Sequence, residues 1–508
     1  MASIASQSLN LPEILSITFV FLDNKSLVAC AQVNNLWADE ATNFLWQEPS
    51  MPALARLVPS GRAQIYANKI TRLGPHYWES FDYESHQACQ HLLFPRLIET
   101  RWFVNDVINI QLLLQYLQPP LKTFEMVSSW QNDIQDSPRH NQAIDTLFMQ
   151  LSTRCSNLYS IRLSLSGLSC SGLLKFLEDT PSLRSIELWP DLLVTDKVLH
   201  HIAARPNLTT LRIERTISGE VAAHVEADTA SPFADLETLE GLVDEDSVVV
   251  FSRHMQKLET LIIELDGSST NLLPVISRFS ALRVLVVSFS TAKSTIEALD
   301  LISLARGCQR LTEISFISNR IYGGDFDGFS ITDADICHFS SLLPDLESLS
   351  LHCSGKLSVQ SVHHLGRNCP KLRECRLGGC ILDVSKFLQY HASDTTTTSD
   401  ADSSVFDQHR DTTPRLHSTI IQNFLDPLLM KSKRTGEPRL LFPKLELLEV
   451  DEYINSRNAN VTITVSHFLS EAPQLRVVFA CSGSQQVADA FSRLISERLN
   501  AKQARTNT

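Results

Sequence analysis

SNLYSIRL (Ser156–Leu163), PSLRSIEL (Pro181–Leu188) and PNLTTLRI (Pro206–Ile213) are three copies of one unit. In each, a leading Leu is followed by two variable residues, an apolar one, a variable one and a second apolar one. The leading residues Leu158, Leu183 and Leu208 stand 25 residues apart. The apolar alternation that ends each copy is the period of a strand buried on one face. Further clear copies are led by Leu258, Leu282, Leu311, Leu346, Leu372, Leu445 and Leu475, and weaker ones by Leu97, Leu121 and Leu236. Leu258 and Leu282 are 24 apart, and Leu346 and Leu372 are 26 apart. Between copies, Ser171–Leu177 and Val359–Leu365 carry apolar residues at helical spacing. The chain therefore reads as strand, turn and helix, repeated about every 25 residues.

That period and pattern are those of leucine-rich repeats, whose units bury their leucines only by stacking on neighbours. The expected fold is α/β: an N-terminal set of three helices, then a leucine-rich-repeat solenoid with parallel strands on the concave face and helices on the convex face. Residues alternating with the buried ones should point into the concavity. Those positions hold Arg162 and Ser164, Glu187 and Trp189, Arg212 and Glu214, Ile262 and Glu264, Val286 and Ser288, Ser315 and Ile317, Ser350 and His352, and Arg376. Arg162, Glu187, Trp189, Arg212, Ile262, Val286, His352 and Arg376 are the candidates for contact with a target. Their mixed charge and few apolar members suit a protein partner, and they form no Arg cluster of the kind that reads a doubly phosphorylated peptide.

The spacing fails between Leu372 and Leu445, a gap of 73 residues. Within it the Thr/Ser/Asp-rich stretch of about 391–416 has little to bury and reads as a disordered insertion. Ser218 to Asp235 reads as a smaller polar insertion. A helix over Val487–Leu499 should close the chain, with the tail AKQARTNT frayed.

Before the repeats, Leu11, Ile14, Leu15, Phe19 and Leu22 recur at helical spacing, with Pro12 at the start. Asp23-Asn24 can cap a second helix bearing Leu27, Cys30 and Val33. Asn34-Asn35 permits a break before a third with Trp37, Ala41, Phe44, Leu45 and Trp46. So much apolar surface on short helices needs a cover, from the next domain or from a partner. On periodicity alone, a cap on a larger core and a docking module are equally good readings. The ordered set Leu11-Pro12-Glu13-Ile14-Leu15, Phe21-Leu22-Asp23, Leu27-Val28-Ala29-Cys30, Val33, Trp37 and Leu45-Trp46 resembles the F-box along its whole length. Thr18 departs from it, standing where the family more often carries an aliphatic residue.

The resemblance implies docking onto a Skp-type adaptor, and through it a cullin, by Leu11, Pro12, Ile14, Leu15, Leu22, Leu27, Cys30, Val33 and Trp37. Arg62–Leu73 is similar to the segment that follows the F-box in fungal members and reads as a linker helix with Ile65, Ile70 and Leu73 inward. The implied organisation is an F-box over 8–48, a helical linker over 49–94, repeats over 95–484, and a terminal helix and tail over 485–508. F-box and repeats together imply the substrate receptor of an SCF-type ubiquitin ligase. A repeat scaffold without a ligase role is the alternative.

Composition agrees with a folded protein of cytoplasm or nucleus. The formal net charge of -13 argues against a nucleic-acid partner. No apolar run is long enough for a membrane span, and the N-terminus lacks a secretory pattern. The 11 cysteines form no disulfide framework. Cys369, Cys375 and Cys380 lie near His363 and His364, but their spacing is not that of a zinc site, and they read as buried thiols. Around Asp325, Asp327, Asp333 and Asp335 the Gly and terminal Glu of a calcium loop are misplaced. Phosphate-loop, nucleophile-elbow and dinucleotide motifs are absent, so neither catalysis nor a cofactor is expected.

Overall fold

A computed structural model describes residues 11–74, 82–104, 107–128, 138–165, 171–189, 194–265, 271–289, 296–318, 329–383, 442–454, 465, 468–469, 472–483 and 485–506. The expected insertion at 391–416, with Asp325 and Asp327, lies outside them. Two compact units divide the chain, Met1–Glu264 and Leu265–Thr508.

The first unit opens with three helices, α1 (Pro12–Phe19), α2 (Asn24–Cys30) and α3 (Asn35–Leu45). Pro12 sits in the first turn of α1, where its missing N–H costs nothing. The Asp23 carboxylate accepts from Ser26 N at 2.8 Å, and the Asn34 side chain from Trp37 N at 2.9 Å, starting α2 and α3 where the sequence places them. Leu15, Phe19, Leu27 and Ala41 form the small core, and Leu22, Cys30, Leu36, Trp37, Phe44 and Leu45 pack around it. The Phe19 ring meets Trp37 edge-on at 5.5 Å between centroids.

The linker departs from expectation. Its helix is only Ala63–Ala67, with both alanines buried, so Ile65 faces out at 56% exposed. Ile70 and Leu73 are buried as expected, but Leu73 belongs to a strand. Parallel pairing thus begins at Arg72, ahead of residue 95, because Arg72 and Leu73 align with Glu99 and Thr100. The linker is tied to α3 and the residues just after it: Lys69 pairs with Asp39, Arg72 with Glu48 at 3.0 Å, and the Trp46 and Tyr66 rings meet at a tilt, 4.4 Å between centroids.

From there the first unit is a parallel sheet of β1 (Arg72–Leu73), β2 (Glu99–Val104), β3 (Thr123–Ser128), β4 (Ser160–Leu165), β5 (Ser185–Trp189), β6 (Thr210–Ile217), β7 (Thr238–Val243) and β8 (Thr260–Leu265), in sequence order. Strands such as β4, β5, β7 and β8 alternate buried and half-buried residues, with Ile161, Leu163 and Leu165 the buried set of β4. The leading residues Leu97, Leu121, Leu158, Leu183, Leu208, Leu236 and Leu258 are all buried, weak copies included. Between strands run short helices such as Gly172–Asp179 and Asp196–Ala203, with buried Leu and Val on one face. Ser218 to Asp235 is not an insertion. Ser218 caps a helix, Gly219–Asp228, that buries Ala222 and Val225, and Phe233 completes the layer. Small apolar residues made this repeat look polar.

Position three before each leading Leu also faces inward. There Arg205 donates to Leu177 O at 2.7 Å and to Thr180 O, filling acceptors that end the previous repeat. At the same position Cys155 donates to Gln118 O at 3.5 Å.

The second unit repeats the arrangement with β9 (Val284–Phe289), β10 (Glu313–Ser318), β11 (Ser348–Leu357), β12 (Glu374–Asp383), β13 (Leu447–Ile454) and β14 (Val477–Gly483), each parallel to the next. β12 pairs directly with β13 (Glu374 beside Leu447) across the long gap. Cys308 and Cys369 occupy the inward position, donating to Phe279 O at 3.3 Å and Leu343 O at 3.4 Å, and burial pushes both thiols up to about 12. Cys375 and Cys380 are also buried, as their reading as buried thiols expects. Asp333 caps the next helix, accepting from Ser358 N at 2.9 Å. The terminal helix spans Gln485–Thr506, longer than Val487–Leu499, and six residues read as a frayed tail lie in it. Arg498 donates to Leu469 O at 2.8 Å, the device of Arg205 used again. The fold is an α/β leucine-rich-repeat fold in both units.

One buried group makes the first repeats pH-sensitive. His86 lies among Trp102, Tyr116 and Phe94, with Nδ1 2.7 Å from the Tyr116 hydroxyl. Burial draws its pKa from 6.5 down to about 4, outweighing the opposing charge of Asp82. The unfolded chain then binds a proton that the folded one refuses. The stability this contributes is complete above pH 6.5 and is lost as pH falls through about 4. Urea denaturation should show the wild type losing up to about 1.4 kcal/mol per pH unit more than His86→Gln across that window.

Candidate functional site

The positions four residues after the leading leucines of β2 to β7 line up in register. Arg101 stands beside Glu125, Glu125 beside Arg162, Arg162 beside Glu187, Glu187 beside Arg212, and Arg212 beside Glu240. The signs alternate without a break, and each neighbour pair is in contact. Arg101 Nε is 3.4 Å from Glu125, whose other oxygen is 3.6 Å from Arg162. Arg162 Nε is 3.3 Å from Glu187, Glu187 is 3.5 Å from Arg212, and Arg212 Nε is 3.1 Å from Glu240. Several of these contacts are electrostatic rather than aligned hydrogen bonds, since Arg162 Nε, Glu187 Oε2 and Arg212 Nε make no hydrogen bond. The result is a charge ladder across six strands that neutralises itself.

Parallel in-register stacking brings neighbouring strands within about 5 Å, so like charges here would repel at close range. The ladder is flanked by a hydroxyl row, Thr123, Ser160, Ser185, Thr210, Thr238 and Thr260. On its other side run Phe103, Val127, Ser164 and Trp189, also in register.

All eight candidate target residues lie on the half-buried side of their strands. Arg162, Glu187 and Arg212 are three of the six ladder members, so their charges are already spent on one another. Arg376 likewise pairs with Glu374 at 3.0 Å and Glu449 at 3.4 Å. Trp189 buries its indole Nε1 without an acceptor. His352 lies over Gly378, where a Cβ would come 2.4 Å from its Nδ1. Ile262 and Val286 are half-buried and uncharged. Arg101, Glu125 and Glu240 complete the ladder from repeats whose leading-leucine pattern is weak. The signal was available: each lies four residues after a weak leading residue, Leu97, Leu121 or Leu236.

The adaptor candidates divide into two groups. Leu15 and Leu27 are core, and Leu22, Cys30 and Trp37 pack against it, so these five support the helices. Leu11, Pro12, Ile14 and Val33 are exposed. Ile17, Val20, Phe21 and Val28 join them on the surface, Phe21 at 83% and Ile17 at 64%. Seven large apolar side chains, on α1, α2 and the turns that flank them, give this segment an exposed apolar surface. Thr18 is exposed beside them, its hydroxyl donating to Ile14 O at 2.7 Å, which satisfies the polar group locally. No described helix is long and apolar enough to cross a membrane.

No family model matches the chain, and no curated protein sequence does. Solved structures similar to it include a chain of the yeast Rad7 and Elc1 complex, 15% identical, with 68% of this chain and 88% of that one covered at a TM-score of 0.44. Another is the leucine-rich-repeat ectodomain of the plant membrane receptor kinase GASSHO1/SCHENGEN3 from Arabidopsis thaliana, in complex with CASPARIAN STRIP INTEGRITY FACTOR 2. It is 14% identical, with 83% of this chain and 42% of that one covered, at a TM-score of 0.36. InlP of Listeria monocytogenes is 12% identical, with 49% and 70% covered, at 0.25.

Glu187→Gln would leave Arg162 and Arg212 facing each other across a neutral side chain. We expect this variant to unfold at lower urea than wild type, by roughly 1 kcal/mol at low salt. The deficit should shrink in 1 M NaCl, where the screening length is about 3 Å. Denaturation at the two salt concentrations checks both statements.

Proposed function

We propose that this chain is the substrate-recognition subunit of an SCF-type ubiquitin ligase. The observation that carries the reading is the exposed apolar patch of Leu11, Ile14, Ile17, Val20, Phe21, Val28 and Val33. Three helices with a core as small as Leu15, Phe19, Leu27 and Ala41 gain nothing from displaying that surface to water. The ordered residues of this segment resemble the F-box, which assigns the patch to a Skp-type adaptor and, through it, to a cullin. The buried candidates then act as supports and the exposed ones as contacts.

In this reading the protein performs no bond chemistry and needs no cofactor. The repeats hold a target protein, and the α3–linker contacts at Lys69, Arg72 and Trp46 fix the adaptor end to the first strand. The catalytic gain is proximity: tethering raises the target's effective concentration at the ubiquitin-transfer site. Such a receptor works in the cytoplasm, the nucleus or both. A fungal F-box/leucine-rich-repeat protein is the specific form of the proposal.

The test is binding of purified Skp-type adaptor to the full chain. Substituting Leu11, Ile14 and Phe21 together by Ala removes exposed side chains only, so folding should persist. Binding should weaken by about 100-fold or more, the loss expected for three desolvated apolar contacts. If the unaltered chain fails to bind the adaptor, the ligase assignment falls and a repeat scaffold remains.

A further inference from the structure

The turns that lead into β4, β5 and β6 border an open hollow of about 540 Å³ in the first unit. It is lined by Asn157, Tyr159, Pro181, Ser182, Arg184 and Asn207. Asn157, Ser182 and Asn207 stand one residue before their leading leucines, and Tyr159 and Arg184 one residue after. The hollow is thus built from equivalent positions of successive repeats.

Two features mark it as a receptor for negative charge. The Arg184 guanidinium lies over the Tyr159 ring, 5.8 Å from its centroid, which orients the planar fork without neutralising it. In the preceding repeat, Lys122 occupies the position equivalent to Tyr159 and Arg184, and its carbonyl accepts from Tyr159 N at 2.8 Å. Neither Lys122 nor Arg184 has an ion-pair partner among the described residues, whereas the arginines of the strand face are all paired. One carboxylate, Asp235, is tied to the rim through Asn207. Lys257 holds it at 2.6 Å and Asn207 N donates to it at 3.1 Å, so its charge is compensated. Tyr159 is 46% exposed, and Ser182 spends its hydroxyl hydrogen on Leu158 O, leaving the oxygen to accept.

Lys122 and Arg184 thus leave positive charge uncompensated beside an exposed tyrosine, on a chain with a formal net charge of -13. We infer that this hollow docks an acidic segment of a protein partner. One Glu or Asp carboxylate would be forked by Arg184, the next would reach Lys122, and intervening backbone would lie against Tyr159 and the amides of Asn157 and Asn207. The site is independent of the adaptor patch and does not need the ligase assignment.

A fluorescein-labelled hexaglutamate peptide, with hexaglutamine as its control, tests this by anisotropy on the full chain in low salt. Saturable binding of hexaglutamate alone is expected, weakened roughly fivefold by Arg184→Ala and further by adding Lys122→Ala. Both residues are exposed, and unchanged thermal melts would show the variants folded. Arg253→Ala, which removes an arginine already paired with Glu226 at 3.2 Å, should leave affinity unchanged. Equal binding by all variants, or none by the wild type at millimolar peptide, overturns the inference. So does displacement of the peptide by equimolar inorganic phosphate, which would make the hollow a small-anion site.

Discussion

Every leading leucine in this chain is buried, and the stacking of repeats that this burial requires governs the rest of the structure. A single strand–helix unit of about 25 residues has no interior of its own. Stacking supplies one, but only if strands run parallel and in register, because a slip of one residue turns the buried set outward. Register also decides what happens on the other side of the sheet. Side chains four residues after each leading leucine are forced side by side at strand spacing, whatever their chemistry. The charge ladder is one solution to that crowding, and the uncharged Val286, Ser315 and Ser350 of the second unit are another.

Within the interior, the same crowding leaves backbone carbonyls at the end of each helix that water cannot reach. Arg205 and Arg498 serve them with two donors from one side chain, and Cys155, Cys308 and Cys369 with a weak thiol donor. The cysteines are thus explained by packing and hydrogen bonding together. Burial raises the pKa of all three thiols, which keeps them protonated and able to donate.

Much of this was legible before any coordinates. The leading leucines, the alternation within strands and the caps at Asp23 and Asn34 follow from local rules. What failed depended on neighbours. Ile65 was expected inward because it is apolar, but Ala63 and Ala67 let the helix sit closer and took the inner face. Ser218–Asp235 was read as an insertion because Ala222 and Val225 weigh little in a pattern of large apolar residues. On α1 and α2, periodicity identified the apolar residues but not which remain outside. Ile17, Val20, Phe21 and Val28 are exposed because Leu15, Phe19 and Leu27 already fill a core too small for more. The candidate target residues were placed on the correct side of their strands, yet their pairing was hidden. Sequence gives a residue's face, whereas an ion pair needs the register between strands.

The alternation of the ladder imposes a parity on the first unit. Duplicating or deleting one repeat between β2 and β7 would set Arg beside Arg or Glu beside Glu, while gaining or losing two adjacent repeats would restore the order. Repeat arrays are usually regarded as free to lengthen one module at a time. Here the surface chemistry makes the natural increment of growth a pair, so the history of this segment should be written in even steps.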